Sequence, residues 1–305
     1  MVRTDTHLQW VGSDQRHAHS VKACAALEGS LPPHGSGRYD QRSCTAPRGD
    51  FDETGSIPRP RPPNDRHAEK TVMSLNDRLY ENYTSQHAGL EDSASQARVL
   101  TRDLLPHIPG PDSRCLDLGC GQGGLSAFLR QRGFRNSFGV DISDEQVAHA
   151  RRLGRNYVSH GAAADYLQSD TEPWDVVTAF DFLEHLDRDD VLPTLESVRG
   201  GLAEGGVMVV RVPNAAGPLF GRYQYGDFTH YSLFSARSLA QLANAAGFSD
   251  SRCTEVRPMV HGMKSAGRRA VWSAFSAVTK LALAAESGQF RGHIVTSNLM
   301  GYLRA

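Results

Sequence analysis

The sequence predicts an α/β fold in which helices cover a parallel sheet. Short apolar runs alternate with helical patterns along most of the chain, the arrangement that βαβ units require. A glycine-rich turn stands directly between the first such run and a helix. Capping and stop residues bracket the helices.

Residues 74–108 hold two helical patterns. In the second, SASQARVLTRDLLPHI, Ala97, Leu100, Leu104 and Leu105 fall on one face. Strands are expected at 114–118 (RCLDL), 137–142 (SFGVDI), 157–161 (YVSHG), 174–180 (WDVVTAF) and 207–213 (VMVVRVP). One helix starts near Gly124, and another begins at Ser143, where Gln146 completes a capping box. A third covers Val191 to Leu202 and stops at the glycines of AEGG. After Pro213 the loop NAAGPLFGRYQYGDFTHYSLF leads to a helix capped by Ser235 and ending at Gly247. A strand near Ser251–Arg257 follows, then an amphipathic helix within Gly267–Glu286, where Val271, Trp272, Phe275, Val278 and Leu281 recur at helical spacing. The segment HIVTSNLMGYL reads as a final strand.

Of the 305 residues, 39% are hydrophobic and 29 are glycine, enough for the core of one sizeable domain and short of two. Lys+Arg 33 against Asp+Glu 34 leaves a net charge of -1, without the electrostatic footprint of a nucleic-acid binder. Cys24, Cys44, Cys115, Cys120 and Cys253 form no CxxC pair and follow no secretory start, which fits free thiols in a reducing cytoplasm. The best apolar stretch, from Ala270 onward, is interrupted by Lys280, so no transmembrane segment is expected. Residues 1–72, with Pro32, Pro33, Pro47 and the run IPRPRPPNDR, read as a disordered extension, and Met73 of MSLNDRLYENY reads as a natural beginning.

The segment Leu116-Asp117-Leu118-Gly119-Cys120-Gly121-Gln122-Gly123-Gly124 carries the strongest signal. Its glycines let the backbone turn tightly against a ligand, and the helix that follows offers free N–H groups. Gly119, Gly121 and Gly124 also satisfy GxGxxG, and Asp141, ending the second strand, can bind both ribose hydroxyls of either NAD or an adenosyl nucleoside. Asp117 discriminates: a carboxylate there accepts from an amine or faces a cationic ligand, and it would repel a pyrophosphate.

DLGCGQG, then GVDIS, then WDVVTAFDFLEHL, then a strand ending RVPN, resembles a class I S-adenosylmethionine-dependent methyltransferase, with a likeness running from about Ser74 to the C-terminus. The resemblance implies a Rossmann-like three-layer sandwich with a seven-stranded, mostly parallel sheet and an antiparallel last strand. It divides the chain into the extension 1–72, an N-terminal helical lid 73–110 holding Tyr80 and Tyr83, and a methyltransferase domain 111–305 with a helical insertion near 259–290. It assigns Asp117, Gly119 and Gly121 to the methionine end of the donor and Asp141 to the ribose, with Cys120 and Ile142 also among the donor-binding residues. Adenine is implied near Gly161–Ala163, with Phe180 and Asp181 running past the sulfonium. An acid often follows the third strand in this family; here Ala162, Ala163 and Ala164 stand there, and Asp165 is the nearest substitute.

A second constellation follows the fourth strand. Asp181, Glu184 and His185, at i, i+3 and i+4, share one face of a helical turn, and His230 waits on the loop entering a helix. This D-x-x-E-H…H order is similar to ubiquinone-pathway O-methyltransferases and small-RNA 2′-O-methyltransferases. The resemblance implies Asp181, Glu184, His185 and His230 as ligands of a divalent cation (Mg or Mn), with Glu184, His185 and His230 as catalytic residues. Without a metal, Glu184 and His185 would pair with each other or with backbone, and His230 would serve as a simple base. Arg222, Tyr223 and Tyr225 precede His230, and Arg222 can bind an anionic group. The expected activity is O-methylation of a small or lipid- or glycan-linked hydroxyl acceptor. The alternatives are an NAD-dependent oxidoreductase or epimerase and a non-catalytic S-adenosylmethionine-binding protein. A homodimer or a peripheral membrane contact through the inserted helix is open.

Overall fold

The computed structural model describes residues 94–305, so the expectations for residues 1–72, Met73, Tyr80 and Tyr83 lie outside the described residues. The described chain starts with helix α1 (Ala94–Asp103), which buries Leu100 and leads to a 3₁₀ turn, Leu105–His107, at Pro106. Strands β1 (Cys115–Leu118), β2 (Ser137–Asp141), β3 (Val158–His160) and β4 (Trp174–Phe180) alternate with helices α2 (Gly124–Gln131), α3 (Asp144–Arg152) and α4 (Ala163–Ser169). Helix α5 (Arg188–Gly201) then leads into β5 (Leu202–Pro213). The short helix α6 (Phe220–Gln224), α7 (Ala236–Ala245), β6 (Asp250–Glu255), the long helix α8 (Met263–Ser287) and β7 (Asn298–Arg304) complete the chain.

The strands form one sheet in the order β3-β2-β1-β4-β5-β7-β6. β1 to β5 pair in parallel, and β7 runs antiparallel to both of its neighbours. Side chains alternate faces with period two. Met208, Val210 and Val212 of β5 pack with Leu195 of α5 and Leu239 of α7. Val207 and Val209 point the other way, among Leu100 and Leu104 of the N-terminal helical segment and Phe128 of α2. This is the expected three-layer sandwich, with helices on both faces.

The boundaries that moved have local causes. α5 begins at Arg188, one turn ahead of the expected Val191, and carries Pro193 in its interior. It ends at Gly201, and Gly205 and Gly206 shape an irregularity inside β5, whose register shifts between Trp174 and Val176. They are not the helix stop. The last strand is shorter than HIVTSNLMGYL, because residues 294–296 are committed elsewhere. The buried Asn214 Nδ2 donates to the carbonyls of Ile294 (2.8 Å) and Thr296 (2.9 Å), and its Oδ1 accepts from the N–H of Ala216 at 3.1 Å. Cys115 and Cys120 are buried and in no disulfide, and burial pushes Cys115 up to about 12. No helix among the described residues is long and apolar enough to cross a membrane.

Asn214 thus ties the end of β5 to the approach to β7. N214A strands two carbonyls in the interior, and the expected loss is about 1–3 kcal/mol of stability, measurable as a lowered Tm in a thermal melt.

Candidate active site

A cavity of about 860 Å³ is lined from the carboxyl ends of β1, β2 and β4, where the strand order reverses. This is the ligand crevice of open α/β sheets, and its size suits one extended ligand. Asp117, Gly119, Cys120 and Gly121 line it from the end of β1 and its turn, and Asp141 and Ile142 from the end of β2. Ala163 lines it from the start of α4, Phe180, Asp181, Glu184 and His185 from the end of β4 and the turn after it, and His230 from the loop before α7. Asp165 is exposed and outside this lining, so it does not replace the missing acid; Ala162, Ala163 and Ala164 form that stretch of wall.

The turn after β1 requires its glycines. Gly119 and Gly121 sit at φ 64° and 54°, and a Cβ on Gly119 would lie 2.6 Å from the Phe182 ring. Asp141 holds the turn in place: its Oδ2 accepts from the N–H of Gly121 and its Oδ1 from the N–H of Ser143, both at 2.8 Å. Burial nevertheless raises the Asp141 carboxyl above its ordinary range, against those two bonds. Buried Asp117 accepts a hydrogen bond from the Thr178 hydroxyl at 2.6 Å.

Two acceptors in the lining were not foreseen. Ser143 caps α3 by accepting from the N–H of Gln146 at 3.4 Å, yet the Gln146 side chain does not complete the box. Its buried Oε1 has no hydrogen-bond partner, and neither does Oδ1 of Asn298 at the start of β7.

The turn after β4 departs from the expected single helical face. Asp181 adopts φ 53°, and a 3₁₀ turn forms only over Leu183–His185. Arg211 of β5 donates through Nε to Asp181 Oδ1 at 3.1 Å and through Nη2 to Oδ2, a bidentate grip. Burial alone would lower the Arg211 pKa, and the Asp181 charge outweighs it and holds it raised. Asp181 is therefore engaged as an ion pair and does not join the candidate ligand set. The other three do: ligand atoms of Glu184, His185 and His230 all lie within 4.8 Å of one another.

Hydrogen bonds set both imidazole tautomers. Thr229 donates its hydroxyl to Asp227 at 2.7 Å, so His185 Nδ1, 2.8 Å from that hydroxyl, must be the donor toward Thr229. His230 Nδ1 faces the Tyr223 carbonyl at 3.0 Å and donates as well. In its neutral form each ring therefore carries its lone pair on Nε2. Burial, then His230, pushes His185 down to about 4, so it is neutral near pH 7. Glu184, 1% exposed, has an Oε2 without a hydrogen-bond partner. Burial, then the Asp181 charge, pushes its carboxyl well above the ordinary range. Arg211, Gln146, Asn298, Asp227 and Thr229 were absent from the sequence reading of the site; an arginine inside the apolar run VMVVRVP was the one signal that pointed to any of them.

Residues 92–251, half of the chain, match the family described as a methyltransferase domain. The chain is 31% identical to trans-aconitate 2-methyltransferase of Rhizobium etli over 137 residues, 44% of this chain and 50% of that one. It is 33% identical to ubiquinone biosynthesis O-methyltransferase of Hahella chejuensis over 84 residues, 25% of this chain and 34% of that one. The chain thus spans half of one curated relative and a third of the other. A SAM-dependent methyltransferase from Archaeoglobus fulgidus overlays with a TM-score of 0.53 at 19% identity, covering 75% of this chain and 99% of that chain. That likeness is one of fold.

The Arg211–Asp181 pair makes a sharp test of geometry. R211A is expected to cost about 1.5–3 kcal/mol, seen as a lower Tm. R211K should recover only part of it, since an ammonium cannot reproduce the two-pronged contact.

Proposed function

The chain belongs to the methyltransferase-domain family, and from that premise we propose that it transfers the methyl group of S-adenosylmethionine to a hydroxyl oxygen of a small or lipid- or glycan-linked acceptor. The observation that carries this reading is a single cavity lined both by the glycine turn with Asp117 and Asp141 and by the trio Glu184, His185 and His230.

The residues suit the donor. Asp117 is the acceptor for its ammonium, and Asp141, with one lone pair on each oxygen beyond those used by Gly121 and Ser143, takes the ribose hydroxyls. The partnerless oxygens of Gln146 and Asn298 are acceptors as well, as a cationic, hydroxyl-bearing ligand requires. Cys120 and Ile142 line the same donor cavity, and Ala163 offers an apolar wall to the base. Phe180 runs past the sulfonium, while Arg211 neutralises Asp181 beside it.

The donor arrives activated, so the protein's tasks are in-line positioning and removal of the acceptor's proton. The acceptor oxygen bonds to the methyl carbon as the carbon–sulfur bond breaks, and its proton passes to an imidazole Nε2. His185, pushed down to about 4, is a weak base, so His230 is the proposed proton acceptor. A second role for the same trio is favoured by the orphaned Glu184 Oε2 beside two Nε2 lone pairs. Glu184, His185 and His230 would hold a divalent cation, Mg or Mn, whose charge lowers the pKa of a nearby hydroxyl.

D141A is expected to weaken adenosylhomocysteine binding at least tenfold, about 1.4 kcal/mol, by titration calorimetry; unchanged affinity overturns the donor assignment. E184Q is expected to remove most methyl transfer, followed with labelled donor, while leaving donor affinity within about twofold. In the metal role, chelator abolishes turnover and Mg or Mn restores it. Full turnover in chelator excludes the metal role and leaves His230 as a simple base or without a part in the reaction.

A further inference from the structure

Helix α8 presents its apolar side to solvent. Its 25 residues extend for about 37 Å at 1.5 Å per residue. The buried positions, Ser265 and Ala284, are small, and the inner side is otherwise met by half-buried Trp272, Ser276, Thr279 and Leu283. The large apolar residues point away: Met263 is 93% exposed, Val271 73%, Val278 69% and Leu281 67%. Phe275 is exposed too, while Val260 and Phe290 add apolar surface on the two flanking loops. Among the described residues nothing covers this ridge, which is therefore far from the scattered single exposures of an ordinary surface.

Charge selects the occupant. Residues 259–293 contain Lys264, Arg268, Arg269, Lys280 and Arg291 against the single acid Glu286, in a chain whose net charge is -1. Lys280 is spent locally on Glu255 at 2.5 Å, leaving the bases near the N-terminal end of the helix in excess. A second copy packed on the ridge would bring two such basic surfaces together. The helix is not apolar enough along its length to cross a bilayer. An apolar ridge bordered by lysine and arginine is the pattern of a helix that lies in a membrane–water boundary.

We propose that α8 is an in-plane anchor that docks this protein on an anionic lipid surface, with Val271, Phe275, Val278 and Leu281 entering the acyl boundary and Lys264 and Arg268 meeting lipid phosphates. The inference does not rest on the methyl-transfer reading.

The test is co-sedimentation of the full chain with vesicles of phosphatidylcholine mixed with phosphatidylglycerol, and with phosphatidylcholine alone. Strong binding to the mixed vesicles, weakened by salt, is expected, with little on the neutral ones. The double substitution V271E/V278E should lower partitioning by about tenfold or more. Reversing the charges with K264E/R268E should lower it by at least about fivefold per base. Both variants change exposed positions, so adenosylhomocysteine affinity and Tm should stay at the parent values; their retention separates a failed anchor from a failed donor site. Equal binding to both vesicles, no binding, or undiminished binding by V271E/V278E overturns the proposal. So does a stable dimer in ultracentrifugation that V271E/V278E dissociates, which would make a second copy the occupant.

Discussion

One carboxylate holds the ligand end of this molecule together. Asp141 closes β2 and accepts main-chain hydrogen bonds from two different turns, the one after β1 and the one that starts α3. The glycine turn holds Gly119 and Gly121 at positive φ, and Asp141 adds a side-chain acceptor from outside the turn to fix that shape. Because β1 and β2 are neighbours in the sheet, the register Leu118 opposite Val140 brings the acceptor beside the turn it serves. The sheet sets the spacing, and the carboxylate turns that spacing into a defined crevice.

A comparable economy operates after β4. Asp181 sits in a left-handed conformation that a non-glycine residue adopts at a cost, and the guanidinium of Arg211 compensates from the adjacent strand. The register pairs Phe180 with Arg211, so the ion pair is a direct outcome of how β4 and β5 align. The bend at Asp181 then redirects the chain so that Glu184 enters the interior while His185 faces Thr229. A buried, partnerless carboxylate oxygen and two imidazoles with their lone pairs on Nε2 are costly to assemble, and their convergence marks chemistry in place of packing.

Much of the architecture was legible in the sequence because it rests on periodicity and punctuation. The five parallel strands, the caps at Ser143 and Ser235 and the existence of a closing strand follow from patterns a few residues long, while its antiparallel direction came from the family resemblance. What escaped depends on contacts between distant segments. Arg211 meets Asp181 thirty positions away, and Asn298 meets the cavity from the last strand. Local pattern also misled: Gln146 has the spacing of a capping-box partner, yet its side chain faces the cavity. The three-residue D-x-x-E-H set assumed a regular helical turn, and positive φ at Asp181 breaks it. In α8, spacing revealed an apolar face without saying whether protein or solvent lies opposite it, since helical period is the same in both cases.

The main-chain carbonyl of Glu184 accepts from the N–H groups of both Tyr231 and Ser232, at 2.8 and 3.1 Å, and the Ser232 hydroxyl reaches Leu186 O at 3.0 Å. The alignment of the two histidine-bearing segments is thus held largely by peptide groups, which any residue supplies. Side chains at the rim, such as Arg222 and Tyr223, can drift or be exchanged without disturbing that alignment. Such a layout separates the evolution of selectivity from that of reactivity, and lets one scaffold diversify its repertoire by small changes in a single loop.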